Sequence, residues 1–179
     1  MRRQDLEHII RAAAEVTGDQ EIVVIGSQAI LGEHPDAPRQ LLLSPEADVY
    51  PLHRRDQVDE IDGVLGEGSM FHDTHSYYAH GVGAETATLP EGWEGRMVAI
   101  RNDNTRQATG HCLEKHDLAL SKLAAGRDKD YRFVAEALRE RIVDAEILRE
   151  RIEAMPGSPQ RMDQLRAVLE AQIRRAAEE

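Results

Sequence analysis

The chain has 179 residues, of which 41% are hydrophobic and 31% charged, and its formal net charge is -11. That length supports one core with a helical extension, and the composition is that of a folded soluble protein rather than a disordered chain. The excess of acids works against a wide phosphate-binding surface, because non-specific nucleic-acid affinity comes from Lys and Arg; no extended DNA-binding surface is expected. No apolar run approaches the roughly 20 residues that span a bilayer. The opening "MRRQDLEHII" also lacks the apolar region of a secretory signal, so the expectation is a cytoplasmic protein with no membrane partner. Cys112 is the only cysteine, which excludes an intramolecular disulfide and a multi-cysteine zinc cluster.

Residues 4–16 place Leu6, Ile9, Ile10 and Ala13 at helical spacing, with Gly18 as the stop. "EIVVIG" (21–26) is a short β-branched run closed by glycine and reads as a buried strand. "SQAIL" is expected to begin a helix capped by Ser27, and "EHPDAPRQ" is a loop marked by Pro35 and Pro38. "EADVY" reads as a second strand and "RRDQVDEIDGVLGEG" as a helix. "YYAHGVG", "RMVAI" and "ATGHCL" are candidate strands within an irregular region over 76–112. From there the chain is helical, with apolar stripes through Leu120 and Leu123, Val134 and Leu138, Leu148 and Ile152, and, after "PGSP", Leu165, Val168, Leu169 and Ile173. The fold class expected is α+β, a mixed sheet flanked by helices with a helical C-terminal half.

Side chains i and i+2 of a strand point to one face, so Glu46 and Asp48 of "EADVYP" project together. Two hard oxygen donors side by side can hold Mg²⁺ and leave positions for water and phosphates. With 33 acids in the chain, roughly six acid-x-acid pairs arise by chance, so the pair alone is a weak motif. The Gly26-Ser27 turn between a strand and a helix offers backbone N–H groups suited to a triphosphate, or a plain helix cap.

A glycine-serine turn followed by a strand with two alternate acids resembles the nucleotidyltransferase superfamily of the DNA polymerase β type. The stretch "LPEGWEGRMVAIRNDNTRQATGHCLEKHDLALSKLAAGRDKDYRFV" (89–134), taken with "IGSQAILGEHPDAP" and "EADVYP", resembles the DUF6036 nucleotidyltransferases. These are related to the AbiEii and MenT enzymes of bacterial toxin–antitoxin systems. The resemblance implies that Gly26 and Ser27 hold the triphosphate and that Glu46 and Asp48 bind Mg²⁺. It also implies that Lys122 of "LALSKL" meets phosphate oxygens, and that Asp130 of "GRDKDYRF" is the later aspartate, with Asp128 as competitor. Arg127 and Lys129 would add phosphate contacts. Three departures stand out: Glu46 replaces the usual Asp, "GEHPDAPRQ" lengthens the interval before the acids, and Leu42 or Leu43 stands where an arginine is common, Arg39 being the nearest basic residue.

His72 and His75 of "FHDTH" read as a polar loop. Asp117 reads either as the N-cap of the lysine helix or as a third metal carboxylate, for which Glu85 is the other candidate. Trp93 reads as a core or turn plug, and Cys112 as a structural thiol.

The division expected is a nucleotidyltransferase-like domain over 1–135 and a helical extension over 136–179. The function implied is Mg²⁺-dependent transfer of a nucleotidyl group from an NTP to the hydroxyl of an RNA, such as a tRNA 3′ end, or of a protein, in a toxin–antitoxin pair with a cognate antitoxin. The alternative is a binding or regulatory module that keeps the fold without catalysis.

Overall fold

In the computed structural model, which describes residues 1–178, helix α1 (Arg3–Thr17) ends at Gly18, whose φ of 67° lies in the left-handed region that glycine enters without penalty. The chain then turns into β1 (Glu21–Val24), runs through a 3-10 helix (Ser27–Gly32), and enters β2 (Glu46–Pro51). Helices α2 (Val58–Leu65) and α3 (Met70–His75) lead to β3 (Tyr78–Gly81). Strands β4 (Val98–Ile100) and β5 (Thr109–Cys112) follow. The remainder is α4 (Lys115–Ala125), α5 (Asp128–Arg139), α6 (Ala145–Arg151) and α7 (Pro159–Glu178). This is an α+β chain with a mixed five-stranded sheet and a helical C-terminal half, and no described helix is long and apolar enough to cross a membrane.

The strand order is β3-β2-β1-β5-β4; β1 is antiparallel to β2 and parallel to β5, β2 is parallel to β3, and β4 is antiparallel to β5. Ile10 of α1 lies against Gly110, and Gly110 stands opposite Ile22, so Ile22 and its same-face neighbours Val24, Val49 and Ala47 look toward the helices. All four are fully buried, as are Leu6, Ile9 and Ile61. Each buried Val, Leu or Ile among them contributes about 2 kcal/mol of transfer free energy. Since the pleat alternates, Glu46 and Asp48 stand on the opposite face from this core.

Two compact units emerge, one of residues 1–86 with 97–114, the other of residues 87–96 with the chain from Lys115 onward. Residue 135 lies within α5, inside the second of these units. Within the second unit Asp117 of α4 is wholly buried, and its carboxylate accepts from Arg96 Nε at 2.7 Å and from Arg151 of α6 at 3.1 Å. That charge-assisted pairing binds the 87–96 segment to the helices.

The helix expected to begin at Ser27 is present as a 3-10 helix, with Gly26 rather than Ser27 at the N-cap position. Four consecutive residues, Gln28 to Leu31, are buried there, so packing on several sides overrides the amphipathic pattern of an α-helix. "FHDTH", expected as a loop, is α3, started by Ser69, whose hydroxyl accepts from His72 N–H. Asp117 is not an N-cap; it lies in the first turn of α4.

Candidate active site

Strand β2 brings Glu46 and Asp48 out on one face, and its parallel partner β3 adds two residues in register: Tyr78 opposite Glu46 and His80 opposite Asp48. Tyr78 Oη donates to Glu46 Oε2 at 3.0 Å. His80 Nδ1 lies 3.3 Å from Glu46 Oε1 and 3.3 Å from Asp48 Oδ1. One donor atom from each of Glu46, Asp48 and His80 falls within 4.8 Å of the other two.

The electrostatics follow from that crowding. Burial pushes the Asp48 carboxyl up, and the hydrogen bond and charge of Glu46 add to it, to about 6. Burial also works to raise Glu46, but hydrogen bonds from Asp48 and Tyr78 and the charge of His80 outweigh it and hold Glu46 below the ordinary value. The two carboxyls titrate as a pair, the second proton leaving last. Burial works to lower His80, yet Asp62, Asp48 and Glu46 raise it. Tyr78 is pushed up to about 12 by burial and by Glu46. The cluster is therefore rich in acidic oxygen, and the His80 imidazole stands against both carboxylates.

The turn at Gly26 packs directly on this cluster. Ile25 N–H donates to Asp48 O at 3.0 Å, which carries the end of β1 alongside Asp48. A Cβ at Gly26 would stand 2.8 Å from Asp48 Cγ and overlap the carboxylate. Gly26 is thus required by close approach, not by its φ of -83°. Gln28, fully buried, donates to Ser44 O at 2.9 Å, and Ser44 Oγ accepts from Glu46 N–H at 3.1 Å. These bonds close the long "GEHPDAPRQ" excursion, pinned by buried Leu41, so the extra residues leave the turn beside the acids.

In the helical unit, Lys122 and Asp130 meet. Lys122 Nζ donates to Asp130 Oδ1 at 3.1 Å, Arg127 Nε donates to Asp130 Oδ2 at 2.6 Å, and Lys122 Nζ sits 4.6 Å from the Phe133 ring centre. Burial works to raise Asp130, but the hydrogen bond from Arg127 and the charge of Lys122 hold it below the ordinary carboxylate value. Asp128, the competing aspartate, and Lys129 are exposed on α5.

Of the two candidates for a third carboxylate, Asp117 is committed to Arg96 and Arg151, and Glu85 is exposed in a 3-10 turn (Ala84–Thr86). The third donor beside Glu46 and Asp48 is His80, which sequence reasoning missed. The two histidines of "FHDTH" are engaged elsewhere: His72 Nδ1 accepts from Gly68 N–H, and His75 packs against His8, Phe71 and Tyr77. Arg39 is exposed in a 3-10 turn, Trp93 is half-buried in another (Trp93–Arg96), and burial pushes the Cys112 thiol up to about 12.

No curated protein and no solved structure matches the sequence. The family described as "Nucleotidyltransferase of unknown function (DUF6036)" matches residues 4–175, almost the whole chain. The turn and paired acids thus sit within a match that extends from the first helix to the last, and the chain belongs to the DUF6036 family of nucleotidyltransferases.

Proposed function

We propose that the protein is an active, divalent-metal-dependent nucleotidyltransferase of the cytoplasm, taking an NTP as substrate and an RNA or protein hydroxyl as acceptor. The observation that supports this best is the convergence of Glu46 and Asp48 beside the Gly26 turn. The donor set fits a divalent cation. His80 Nδ1 stands 3.3 Å from one oxygen of each acid, near the roughly 3 Å that separates neighbouring ligands on an octahedral ion with bonds of ~2.1 Å. The mutual repulsion of the acids is the kind of charge excess a cation relieves.

Glu46 and Asp48 would hold the ion, Mg²⁺ in the ordinary case. Bound there, it would supply charge neutralisation for the phosphates and the leaving group. The chain's own contribution starts with Gly26 and Ser27. With no side chain at Gly26, the backbone of the turn can approach a triphosphate closely. Lys122 is assigned to phosphate oxygens as a point charge, Arg127 beside it adds a second cation, and Asp130 orients both as a positioning residue. In the reaction the acceptor oxygen bonds to the α-phosphorus, the bond to the bridging oxygen breaks, and pyrophosphate leaves as the hydroxyl proton passes to solvent. A net charge of -11 favours a short acceptor contact such as a tRNA 3′ end or a protein side chain over a long RNA footprint. A toxin role held in check by an antitoxin rests on the family resemblance alone.

A catalytically inactive binding module is the second reading. It is favoured by Glu46 standing where Asp is usual, with Oε1 beside His80 and Oε2 accepting from Tyr78. Incubation with labelled NTPs, Mg²⁺ or Mn²⁺, and total tRNA or protein extract separates the two. Label transfer that disappears in Asp48→Ala and Lys122→Ala supports the enzyme. No transfer by the wild-type protein with any NTP and either ion sinks it in favour of the binding module.

A further inference from the structure

We propose that His80 is a ligand of the metal centre and makes it prefer first-row transition ions, Mn²⁺ among them, over Mg²⁺. This rests on Glu46 and Asp48 being the cation-binding pair. His80 occupies the edge strand opposite Asp48, and its Nδ1 is equidistant, at 3.3 Å, from one oxygen of each carboxylate. The three donors form a mixed set of two oxygens and one nitrogen.

Mg²⁺ takes oxygen ligands almost alone, demands near-ideal octahedral geometry and keeps its waters. Imidazole raises affinity for transition ions along the order from Mn²⁺ toward Cu²⁺, while carboxylates still suit Mn²⁺. An imidazole nitrogen wedged between the two carboxylates therefore favours an ion that accepts both donor types. Mn²⁺ keeps the octahedral preference that organises phosphate oxygens, so the selectivity is compatible with an NTP substrate.

Surroundings of His80 support the role. The neighbouring Gly81 N–H donates to Asp62 Oδ1 at 2.9 Å, so the backbone at His80 is anchored on α2. Tyr78, its same-face neighbour on β3, fixes Glu46 by donating to Oε2 and leaves Oε1 toward the imidazole. The ring itself is 51% exposed, so substitutions there remove a ligand and leave the core intact.

The test uses the full-length protein without nucleotide. Calorimetric titration with MnCl₂ and with MgCl₂ is run on wild type, His80→Asp, His80→Gln and Asp48→Asn, and the Mn²⁺-bound wild type is examined by electron spin-echo spectroscopy. Mn²⁺ should bind wild type more tightly than Mg²⁺. The Mn²⁺-to-Mg²⁺ affinity ratio should fall about tenfold in both His80 variants, and nitrogen modulation present in wild type should vanish in His80→Asp. An unchanged ratio in both variants, or wild-type spectra without nitrogen modulation, overturns the role of His80 while leaving the carboxylate centre standing. If wild type binds neither ion, or Asp48→Asn binds both as tightly as wild type, the carboxylate centre itself falls.

Discussion

Asp48 and His80 face each other across the parallel pair β2–β3, their nearest side-chain atoms 3.3 Å apart. A second acid, Glu46, stands on the same face of β2 with a carboxylate oxygen within 4.8 Å of an Asp48 oxygen. Two carboxylates this close cost folding stability without a counter-ion, and functional sites commonly carry such a cost. Asp48→Asn is therefore expected to raise the melting temperature of the cation-free protein at pH 8 by a few degrees. The same variant should lose the upward shift that Mn²⁺ is expected to give wild type. Differential scanning fluorimetry with and without MnCl₂ reads both effects; a variant that melts lower in the absence of cation would contradict the account of repulsion.

Gly26→Ala places a methyl carbon 2.8 Å from Asp48 Cγ. Either the carboxylate or the turn has to move. Displacing a reacting group by about 1 Å typically costs on the order of 100-fold in rate, so nucleotidyl transfer should fall by that factor. Circular dichroism should stay that of wild type, since the site lies outside the apolar core. A variant as active as wild type would show that the close approach is unimportant.

Much of this arrangement is legible in the chain. Gly18 is the expected helix stop, "EIVVIG" and "EADVYP" are strands, and the two acids project together because alternation fixes their face. His80 is not legible: it is one histidine in "YYAHGVG", with no spacing relation to Glu46 or Asp48. Only the register of β3 on β2 makes it their neighbour. The role of Asp117 is hidden for a similar reason, because Arg96 and Arg151 lie 21 and 34 residues away in sequence. In α3, Ser69 gives a local start signal, but Phe71 and His75 find His8 and Tyr77 only through tertiary packing. Local pattern reports faces and ends of elements; which side chains meet across them depends on pairing that no short window contains.

Asp19 contributes a pH dependence of definite sign to the sheet-bearing unit. Its carboxylate accepts from the backbone N–H groups of Glu21 at 3.0 Å, His53 at 2.6 Å and Arg54 at 3.0 Å, tying the start of β1 to the end of β2. Burial works to raise Asp19, but these three bonds outweigh it and hold the group below its ordinary value. A depressed carboxylate binds its proton less tightly folded than unfolded. Its stabilisation is therefore complete above the unfolded value and lost as pH falls through the folded one. Asp19→Asn should cost about 2 kcal/mol at pH 7, with the cost shrinking below pH ~4. Urea denaturation at pH 7, 5 and 3 would show it; a cost independent of pH would mean that the charge contributes nothing.

Asp117 separates a structural acid from a metal ligand. Fully buried and bonded to two arginines, it should cost about 3–5 kcal/mol when replaced by Ala, because two partly buried guanidinium groups lose their shared anion. Mn²⁺ affinity, measured below the melting transition, should stay at the wild-type value. A stable variant with weakened Mn²⁺ binding would assign Asp117 to the metal instead.

The Lys122–Asp130 pair allows stability and chemistry to be pulled apart within the helical unit. Asp130 is fully buried between Lys122 Nζ and the Arg127 guanidinium, so Asp130→Asn leaves two cations facing each other without the anion between them. Such single breaks cost about 3–5 kcal/mol, whereas replacing a whole buried pair by apolar side chains is often neutral. Lys122→Met with Asp130→Leu should therefore recover most of the stability that Asp130→Asn loses, the introduced thioether lying against Phe133 where the Lys122 side chain lies now. If Lys122 serves the phosphates, the double variant should be stable and inactive in the labelled-NTP assay. Denaturant midpoints and label transfer measured on the same preparations decide the matter: a stable double variant that still transfers label would confine the pair to holding α4 on α5.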